Sequence, residues 1–392
     1  MQIYLDYSAT TPPHKKAIAK AQQVMTQHWG NPSSLHWWGE QAALELETAR
    51  IQVASLINAS NPGSISFTSG GTEADNLALI GIARQYSTPQ HLIISSVEHS
   101  AISETAKILE QQGWQITRLP VNQQGRINPW DLQTAIKPNT VLISIIYGQS
   151  EIGTLQPIEK LVSIAHSHNI LFHTDAVQIA GRLPIDVQQL DVDLLSLSAH
   201  KIYGMQGAGA LYVKPGVTIN PLLTGGGQEQ GFRSGTQAVA TIAAFGVAAE
   251  IVEQEMVLEI PRLIALRDRL FDRLANCPYL KVTGDRLYRL PHHASFVLSD
   301  YFALKAPQVT GKTVVRQLNL AGIGISAGSA CHSGKLNPSP VLLAMGYSDS
   351  AAKRGIRFTV GKHTTEADID WAAMALEQVL ERFVPLCVGC QK

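Results

Sequence analysis

Short runs of apolar residues alternate with segments of helical length along the chain as far as about Thr236. The strand-like runs lie at residues 65–68, 92–95, 141–146, 170–174, 194–198 and 210–213. Their apolar positions are continuous, which is typical of strands that are covered on both faces of a largely parallel sheet. The intervening segments 72–86, 100–112 and 158–169 have helical periodicity. This order predicts an open α/β sheet that binds ligands at the carboxyl ends of its strands.

The pattern changes beyond Thr236. A long helix is predicted over residues 238–276. Three short strand-like runs and an amphipathic last helix follow at residues 296–298, 323–325, 356–358 and 367–383. We interpret the long helix as the connection between two packed domains, because no repeat or linker-like run separates them. The predicted large domain comprises residues 15–256, and the small α+β domain comprises residues 1–14 and 257–392, with a mobile small-residue loop at about 325–338.

Composition excludes several classes of function. The chain carries 31 basic and 31 acidic side chains, so it has no surplus of positive charge to attract nucleic acid or an anionic membrane. Its four cysteines are too few and too scattered for a disulfide-stapled secreted protein. It has no apolar run of about 18 residues, and its first residues lack the pattern of a signal peptide. We therefore expect a soluble, cytoplasmic protein.

Two charged residues follow predicted strands and are candidates for a site at that edge of the sheet. Lys201 ends the sequence Ser-Ala-His-Lys after the strand at 194–198. It can form a Schiff base if desolvation lowers its pKa, or it can be a surface lysine at the end of a strand. Asp175 closes the strand at 170–174. A buried carboxylate needs a partner, which would be a pyridinium nitrogen or else a helix N-terminus or a salt bridge.

The sequence Ser-Gly-Gly-Thr-Glu at residues 69–73 joins a predicted strand to a predicted helix. Small residues at a helix N-terminus suit a phosphate group, although a tight turn with a threonine cap has the same composition. The sequence is neither a P-loop nor a GxGxxG motif. His99 follows the strand at 92–95, where its ring can stack on a flat cofactor, transfer a proton or have a structural role.

Two further residues are candidates for contact with a substrate. Arg357 lies in a predicted strand, and its planar guanidinium suits a substrate carboxylate as well as an internal Asp or Glu. Cys331 lies in a small-residue sequence beside His332, which would help to form its thiolate; the alternative is a chance cysteine in a flexible loop. Cys387 and Cys390 form a single CxxC, which is a weak metal signal, so no metal site is predicted.

The order of these residues resembles the class V aminotransferase-like pyridoxal-phosphate (PLP) enzymes, and specifically the group I cysteine desulfurases of the NifS/IscS type. The motifs that carry the resemblance include Phe67-Thr-Ser-Gly-Gly-Thr-Glu, Asp175-Ala-Val-Gln, Ser198-Ala-His-Lys-Ile-Tyr-Gly, Arg233-Ser-Gly-Thr and Gly328-Ser-Ala-Cys. Together with the segments that begin at Leu5, Gly30 and Gly225, they cover nearly the whole chain. The resemblance implies the aspartate aminotransferase-like fold (fold type I) of PLP-dependent transferases, and PLP as the cofactor.

The resemblance also implies the catalytic roles. Lys201 would bind PLP covalently and later move the α-proton of the substrate. Asp175 would bond the pyridinium nitrogen, and His99 would stack on the ring. Cys331 would attack the substrate sulfur, which leaves a persulfide on Cys331 and releases alanine.

The remaining candidates would hold the cofactor or the substrate. Residues implied to bind PLP around its phosphate are Gly71, Thr72, Ser198, His200 and, from the second subunit of a homodimer, Thr236. Residues implied to lie near its phenolic oxygen are Gln178 and Ser150. Residues implied to bind the substrate are Arg357, which would grip the carboxylate, and Asn31.

The chain departs from the family pattern in two places. Residues 149–153 are Gln-Ser-Glu-Ile-Gly where the family has Asn-Asn-Glu-Ile-Gly, so Ser150 replaces an asparagine that normally bonds the phenolic oxygen. Serine is shorter, and we expect altered cofactor electronics or weaker binding, which need not abolish activity. Residues 290–296 replace an asparagine-bearing strand. We expect His292 and His293 in this segment to be solvated, and the alternative is that one of them faces the mouth of the active site.

The resemblance predicts an enzyme that converts L-cysteine to L-alanine and passes sulfur to an acceptor protein, for iron–sulfur cluster assembly or tRNA thiolation. One alternative is a cysteine or selenocysteine C–S lyase on the same fold, which would form pyruvate and need not use Cys331. Another is a catalytically silent sulfur-transfer scaffold, although the chain retains Lys201 and Asp175. The expected partners are L-cysteine, a sulfur-acceptor protein and a second copy of the chain.

Overall fold

A computed structural model of the protein describes residues 2–328 and 337–384. The strands in these ranges are β1 (Ile3–Tyr4), β2 (Ile65–Thr68), β3 (His91–Ser95), β4 (Gln115–Leu119), β5 (Thr140–Ile146), β6 (Leu171–Asp175), β7 (Leu194–Ser198), β8 (Gly209–Val213), β9 (Leu280–Val282), β10 (His293–Leu298), β11 (Ile323–Gly324), β12 (Ser326–Ala327) and β13 (Gly355–Thr359). The helices are α1 (Lys15–Gln27), α2 (Trp37–Leu56), α3 (Gly71–Ala83), α4 (Ser100–Gln111), α5 (Pro129–Ala135), α6 (Ile158–Ser167), α7 (Val187–Leu190), α8 (Val239–Arg273), α9 (Asp300–Lys305), α10 (Gly311–Leu320), α11 (Pro340–Ala344), α12 (Asp349–Ala352) and α13 (Glu366–Phe383).

Seven strands form one sheet in the order β2-β8-β7-β6-β5-β3-β4. The pairs β3–β4, β3–β5, β5–β6 and β6–β7 are parallel, whereas β8 is antiparallel to both of its neighbours. Every residue of β3 and β7 is buried, because helices cover the sheet and continuous apolar runs suit such strands. The predicted α/β fold with a largely parallel sheet is confirmed. Since β6 and β7 run parallel, Asp175 and Ser198 end at the same edge of the sheet.

A second group of strands packs around its own core. One sheet has the order β12-β13-β10-β9, and β1 pairs with β11 in another. We call the cluster around the seven-stranded sheet the first core and the cluster that contains Leu5, Phe296 and Phe358 the second core. Because β1 and Leu5 belong to this second group, the first residues of the chain pack against strands that lie more than 300 positions later.

Helix α8 contacts both cores along its 35 residues. Met256 belongs to the first core and Leu263 to the second, with Pro261 inside the helix between them. The predicted domain boundary at residue 256 falls at this change of core, and the division into two domains stays a prediction. Neither α8 nor any other helix in the described ranges combines the length and the apolarity needed to cross a membrane.

A buried ion pair ties the segment before α8 to the first core. Arg50 of α2 donates from Nη1 and Nη2 to the Glu229 carboxylate at 2.8 and 3.1 Å. Glu229 also accepts a hydrogen bond from the backbone N–H of Phe67 in β2 at 2.9 Å. Burial raises the pKa of Glu229, but the hydrogen bonds and charge of Arg50 outweigh this effect and leave the pKa below its ordinary value. The pair is therefore ionised near neutral pH.

Glu229→Gln should lower the free energy of unfolding by about 3 kcal/mol, because it leaves the Arg50 guanidinium buried beside a neutral group. Urea denaturation at pH 7 measures the change. The matched control is Glu104→Gln, which removes an exposed pair with Lys107 and should change stability by less than about 0.5 kcal/mol. The wild type and Glu229→Gln should converge in stability as the pH falls through the folded-state pKa of Glu229. Equal effects of the two substitutions at pH 7 would contradict this prediction.

Candidate active site

A cavity of about 360 Å³ lies where β6 and β7 end. Its lining residues are Ser8, Ala9, Gly71, Thr72, Asp75, His99, Ile146, Ser150, Asp175, Val177, Gln178, Ser198, His200, Lys201 and Arg357. Every predicted site residue lines it except Asn31, Thr236 and Cys331. The fold therefore brings together side chains from widely separated parts of the chain at the edge of the sheet where a ligand was expected.

Lys201 enters the cavity from a short 3₁₀ turn, Ala199–Lys201, that follows β7 directly. Its Nζ donates hydrogen bonds to the backbone carbonyls of Ser8 and Ala9, both at 2.7 Å. The segment before α1 thus holds the amine at the edge of the first core. The Gln178 amide donates to the same Ser8 carbonyl at 2.9 Å. One stretch of backbone therefore orients two of the predicted site residues.

Asp175 lies at the end of β6 and is 5% exposed. Its Oδ1 accepts a hydrogen bond from the N–H of Val177 at 2.9 Å. Burial raises the pKa of Asp175, while the nearby His99 and Lys201 act in the opposite direction. Burial and the charge of Asp175 raise the pKa of the neighbouring Asp75 well above its ordinary value. The cluster thus favours a single negative charge, on Asp175, facing a cationic partner.

The His99 imidazole is the N-cap of α4. Its Nδ1 accepts a hydrogen bond from the N–H of Ala101 at 3.2 Å, so the ring proton belongs on Nε2. Burial lowers the pKa of His99, although the charge of Asp175 opposes this effect. The ring is therefore neutral near pH 7, which suits a flat surface beside a cofactor.

The N-terminus of α3 forms one end of the cavity. The helix begins at Gly71 without a side chain that caps its first N–H groups. A Cβ atom at Gly71 would lie 2.8 Å from Val177 Cγ2, so only glycine allows this approach to the sheet. Ser198 and His200 face the same region, and burial lowers the pKa of His200 to about 4. Unpaired N–H groups at a helix N-terminus, beside hydroxyls and a neutral imidazole, can bind a phosphate group.

Arg357 of β13 approaches the cavity from the second core. Its Nη2 donates to Asp6 Oδ1 at 2.6 Å and its Nη1 donates to the Ser150 carbonyl at 3.0 Å. Its buried Nε has no hydrogen-bond partner among the described residues. Two of the five N–H groups of the guanidinium are thus held in place, and each Nη keeps a second N–H, which suits a guanidinium that binds a carboxylate.

The expectation that His292 and His293 are solvated is wrong. Both side chains are completely buried. Their Nε2 atoms contact Ser8 Oγ at 3.1 Å and the Ser150 carbonyl at 3.0 Å, so hydrogen bonds within the protein replace those to water. The two histidines thus lie directly behind residues that line the cavity.

Three predicted residues lie elsewhere. The Asn31 side chain is on the surface, where its Oδ1 accepts a hydrogen bond from the N–H of Ser33. Thr236 is also exposed and lies outside the cavity of its own chain. Cys331 and its neighbours 329–336 lie outside the described residues. The roles of all three stay predictions.

Sequence reasoning missed Ser8, Ala9 and Asp75 as lining residues. Ser8 and Ala9 act through backbone carbonyls, which every residue has, so only the motif that begins at Leu5 marked them. Asp75 carried a weak signal, since it is a carboxylate among the buried apolar positions of α3. A charged residue on such a face needs a polar neighbour, and the fold alone supplies it.

The lining residues fit PLP bound together with an amino acid. The phosphate of PLP is an anion and suits the N-terminus of α3 with Ser198. Its pyridine nitrogen is basic and suits Asp175, and its aldehyde reacts with an amine such as that of Lys201. The Arg357 guanidinium, which lines the cavity, suits the carboxylate of the amino acid.

Comparisons with known proteins agree with the fit of these lining residues to PLP. The family model for aminotransferase class-V matches residues 3–371. The cysteine desulfurase IscS of Dictyoglomus turgidum is 42% identical over 385 residues, which are 97% of this chain and 95% of that relative. A solved NifS-like protein is 32% identical with a TM-score of 0.89, and covers 97% of this chain and 100% of its own. A NifS-like protein from Rickettsia africae is 29% identical with a TM-score of 0.86 at the same coverage. The chain therefore belongs to the aminotransferase class-V family of PLP-dependent enzymes.

Proposed function

We propose that this chain is a cysteine desulfurase, which converts L-cysteine to L-alanine and keeps the sulfur as a persulfide on Cys331. The observation that carries the proposal is the single cavity that combines Lys201, Asp175 and Arg357 in a chain 42% identical to a relative named cysteine desulfurase. The persulfide role of Cys331 is supported by its place in the Gly-Ser-Ala-Cys sequence that begins at Gly328.

The cavity residues divide the chemistry between them. PLP, when bound, supplies a ring that spreads the negative charge left by the departing α-proton. Asp175 would hold the ring nitrogen, because a buried carboxylate favours a cationic partner. His99 would lie beside the ring as a neutral imidazole. Lys201 would hold the cofactor and take up the α-proton of the substrate on Nζ.

The substrate binds through its carboxylate. Arg357 would offer the remaining N–H groups of its Nη atoms for this contact, while the Ser150 carbonyl and Asp6 each accept one N–H from Nη1 and Nη2. A guanidinium that is fixed in this way loses little rotational freedom when the substrate arrives. The Cys331 thiolate would form an S–S bond to the substrate sulfur as the substrate C–S bond breaks, and the carbon that loses the sulfur would take up a proton to give alanine.

The surface around α2 supports a homodimer. Five large apolar side chains between residues 29 and 44 are exposed, and all but Trp38 expose more than half of their area. They are Trp29, Leu35, Trp37, Trp38 and Leu44. Exposed large apolar side chains of this kind, on α2 and in the segment before it, are typical of a protein interface. Exposed Thr236 would then complete the phosphate site of the partner subunit.

The sulfur acceptor follows from the same proposal. A persulfide on Cys331 needs a second protein with a nucleophilic thiol, which would be an iron–sulfur cluster scaffold or a thiolation factor.

The small number of scattered cysteines also supports a reducing compartment, and we place the enzyme in the cytoplasm.

Purified protein given PLP, L-cysteine and a thiol reductant should form alanine and sulfide in equal amounts without pyruvate. Cys331→Ser should keep the visible absorption of bound PLP but lose more than about 99% of alanine formation, since a hydroxyl cannot replace the thiolate. Cys277→Ser is the matched control, because this buried cysteine lies in the second core, and it should keep turnover. Pyruvate that matches sulfide would identify a C–S lyase, and normal turnover by Cys331→Ser would refute the persulfide step.

Lys201→Ala should abolish the visible absorption band of covalently bound PLP and all turnover, because no other amine lines the described part of the cavity. Absorption spectra after dialysis against PLP measure the change. Lys214→Ala removes a surface lysine that pairs with Asp191, and this control should keep both the band and the activity. An unchanged spectrum in Lys201→Ala would exclude the assigned role.

Ser150→Asn should restore the longer side chain of the family and shift the visible absorption band or tighten PLP binding by about tenfold, the effect of one added hydrogen bond. Spectra and the Kd for PLP measure both effects. Ser150→Ala serves as the control and should bind PLP no more tightly than the wild type. If the asparagine variant has the spectrum and the Kd of the wild type, the departure at this position has no consequence for the cofactor.

A further inference from the structure

Two adjacent histidines at the start of β10 lie behind the cavity wall. Neither His292 nor His293 exposes any of its surface. Each contributes its Nε2 to one hydrogen bond, and neither Nδ1 has a partner among the described residues. Burying a polar imidazole is unfavourable unless it forms hydrogen bonds within the protein. The hydrogen-bond partners of the two rings therefore indicate their role.

The His293 contact fixes the tautomer of the ring. The Ser150 carbonyl can only accept, so His293 donates from Nε2 over 3.0 Å and its Nδ1 carries no proton. Burial lowers the pKa of His293 well below its ordinary value, which keeps the ring neutral. The same carbonyl accepts a hydrogen bond from Arg357 Nη1, also at 3.0 Å. One oxygen atom therefore links the buried imidazole to the guanidinium in the cavity.

The turn that carries Ser150 packs directly on the His293 ring. Gly153 has a φ of +77°, and a Cβ atom there would lie 2.7 Å from His293 Nδ1. The Gly153 N–H donates to the Gln149 carbonyl at 2.8 Å, and the Gly153 carbonyl accepts from the N–H of Leu290 at 2.8 Å. The turn is thus closed by backbone hydrogen bonds against the imidazole, which determines where the Ser150 carbonyl points.

We propose that His293 is a positioning residue for substrate binding: through the Ser150 carbonyl it orients the Arg357 guanidinium. Of the five N–H groups of the Arg357 guanidinium, Asp6 and the Ser150 carbonyl accept one each. Without the imidazole, the Ser150 carbonyl loses one of its two donors and the turn loses the ring on which it packs, so the carbonyl holds the guanidinium less firmly. The inference rests on the proposed function, because it assigns Arg357 to the substrate carboxylate.

His292 extends the same arrangement to the amine side of the cavity. Its Nε2 lies 3.1 Å from Ser8 Oγ, and the Ser8 carbonyl accepts hydrogen bonds from Lys201 and Gln178. The backbone N–H of Ser8 donates to Thr359 Oγ1 at 2.9 Å. Hydrogen bonds therefore fix Ser8 at its N–H, its carbonyl and its Oγ, and His292 supplies the contact at Oγ.

His293→Asn and His293→Gln separate positioning from general packing. The amide nitrogen of Gln is placed like Nε2 and can reach the Ser150 carbonyl, whereas the shorter Asn cannot. His293→Asn should raise the KM for L-cysteine about tenfold with kcat within about twofold, and His293→Gln should restore the KM. Calorimetric titration of the PLP-loaded proteins with L-alanine should show the same pattern in Kd.

His91→Asn is the matched control. His91 is equally buried and has contacts with the hydroxyls of Thr140 and Thr117, but it lies outside the cavity. Its substitution should lower the melting temperature without a change in KM. The proposal is overturned if His293→Asn keeps the wild-type KM and Kd, if Gln does not restore them, or if His91→Asn raises them equally. A wild-type protein that forms no alanine would refute the proposed function, whereas the L-alanine titrations would still decide the role of His293.

Discussion

Residues 6–11 form the segment on which the two halves of the cavity are assembled. Asp6 accepts a hydrogen bond from Arg357, which belongs to the second core. The Ser8 carbonyl accepts one from Lys201, which belongs to the edge of the seven-stranded sheet. Because this segment contacts both groups, it fixes the separation between the amine and the guanidinium. A shift of this segment would move the amine and the guanidinium relative to each other, which makes it the constraint that the remaining contacts of the cavity depend on.

The central architecture could be predicted because buried parallel strands are marked by continuous apolar runs. The predicted strand at 141–146 and helix at 100–112 agree with β5 and α4 to within one residue. Strand β4 was missed, since only Leu119 of its five residues is buried and the strand lies at the edge of the sheet. The antiparallel direction of β8 was also beyond prediction, because it depends on the path of the chain after Lys201 and on no local pattern.

The site could be predicted in part for a comparable reason. Asp175 and Lys201 follow strands whose carboxyl ends meet, so their proximity follows from sheet geometry. The burial of His292 and His293 could not be predicted, because it depends on hydrogen bonds to Ser8 Oγ and to the Ser150 carbonyl, which lie far away in sequence. A polar side chain is expected at the surface until the fold supplies its partner. Contacts of this kind are also where the chain differs from the family pattern.

The contact between Asp6 and Arg357 spans 351 positions of sequence. A ribosome therefore produces the carboxylate early and the guanidinium only when most of the chain has been translated. Long-range contacts of this kind form late in folding, after the sheet between them has been built. A nascent chain or a fragment cut before β13 would have the amine of Lys201 without the guanidinium of Arg357. The complete cavity therefore exists only in molecules whose synthesis has passed residue 357.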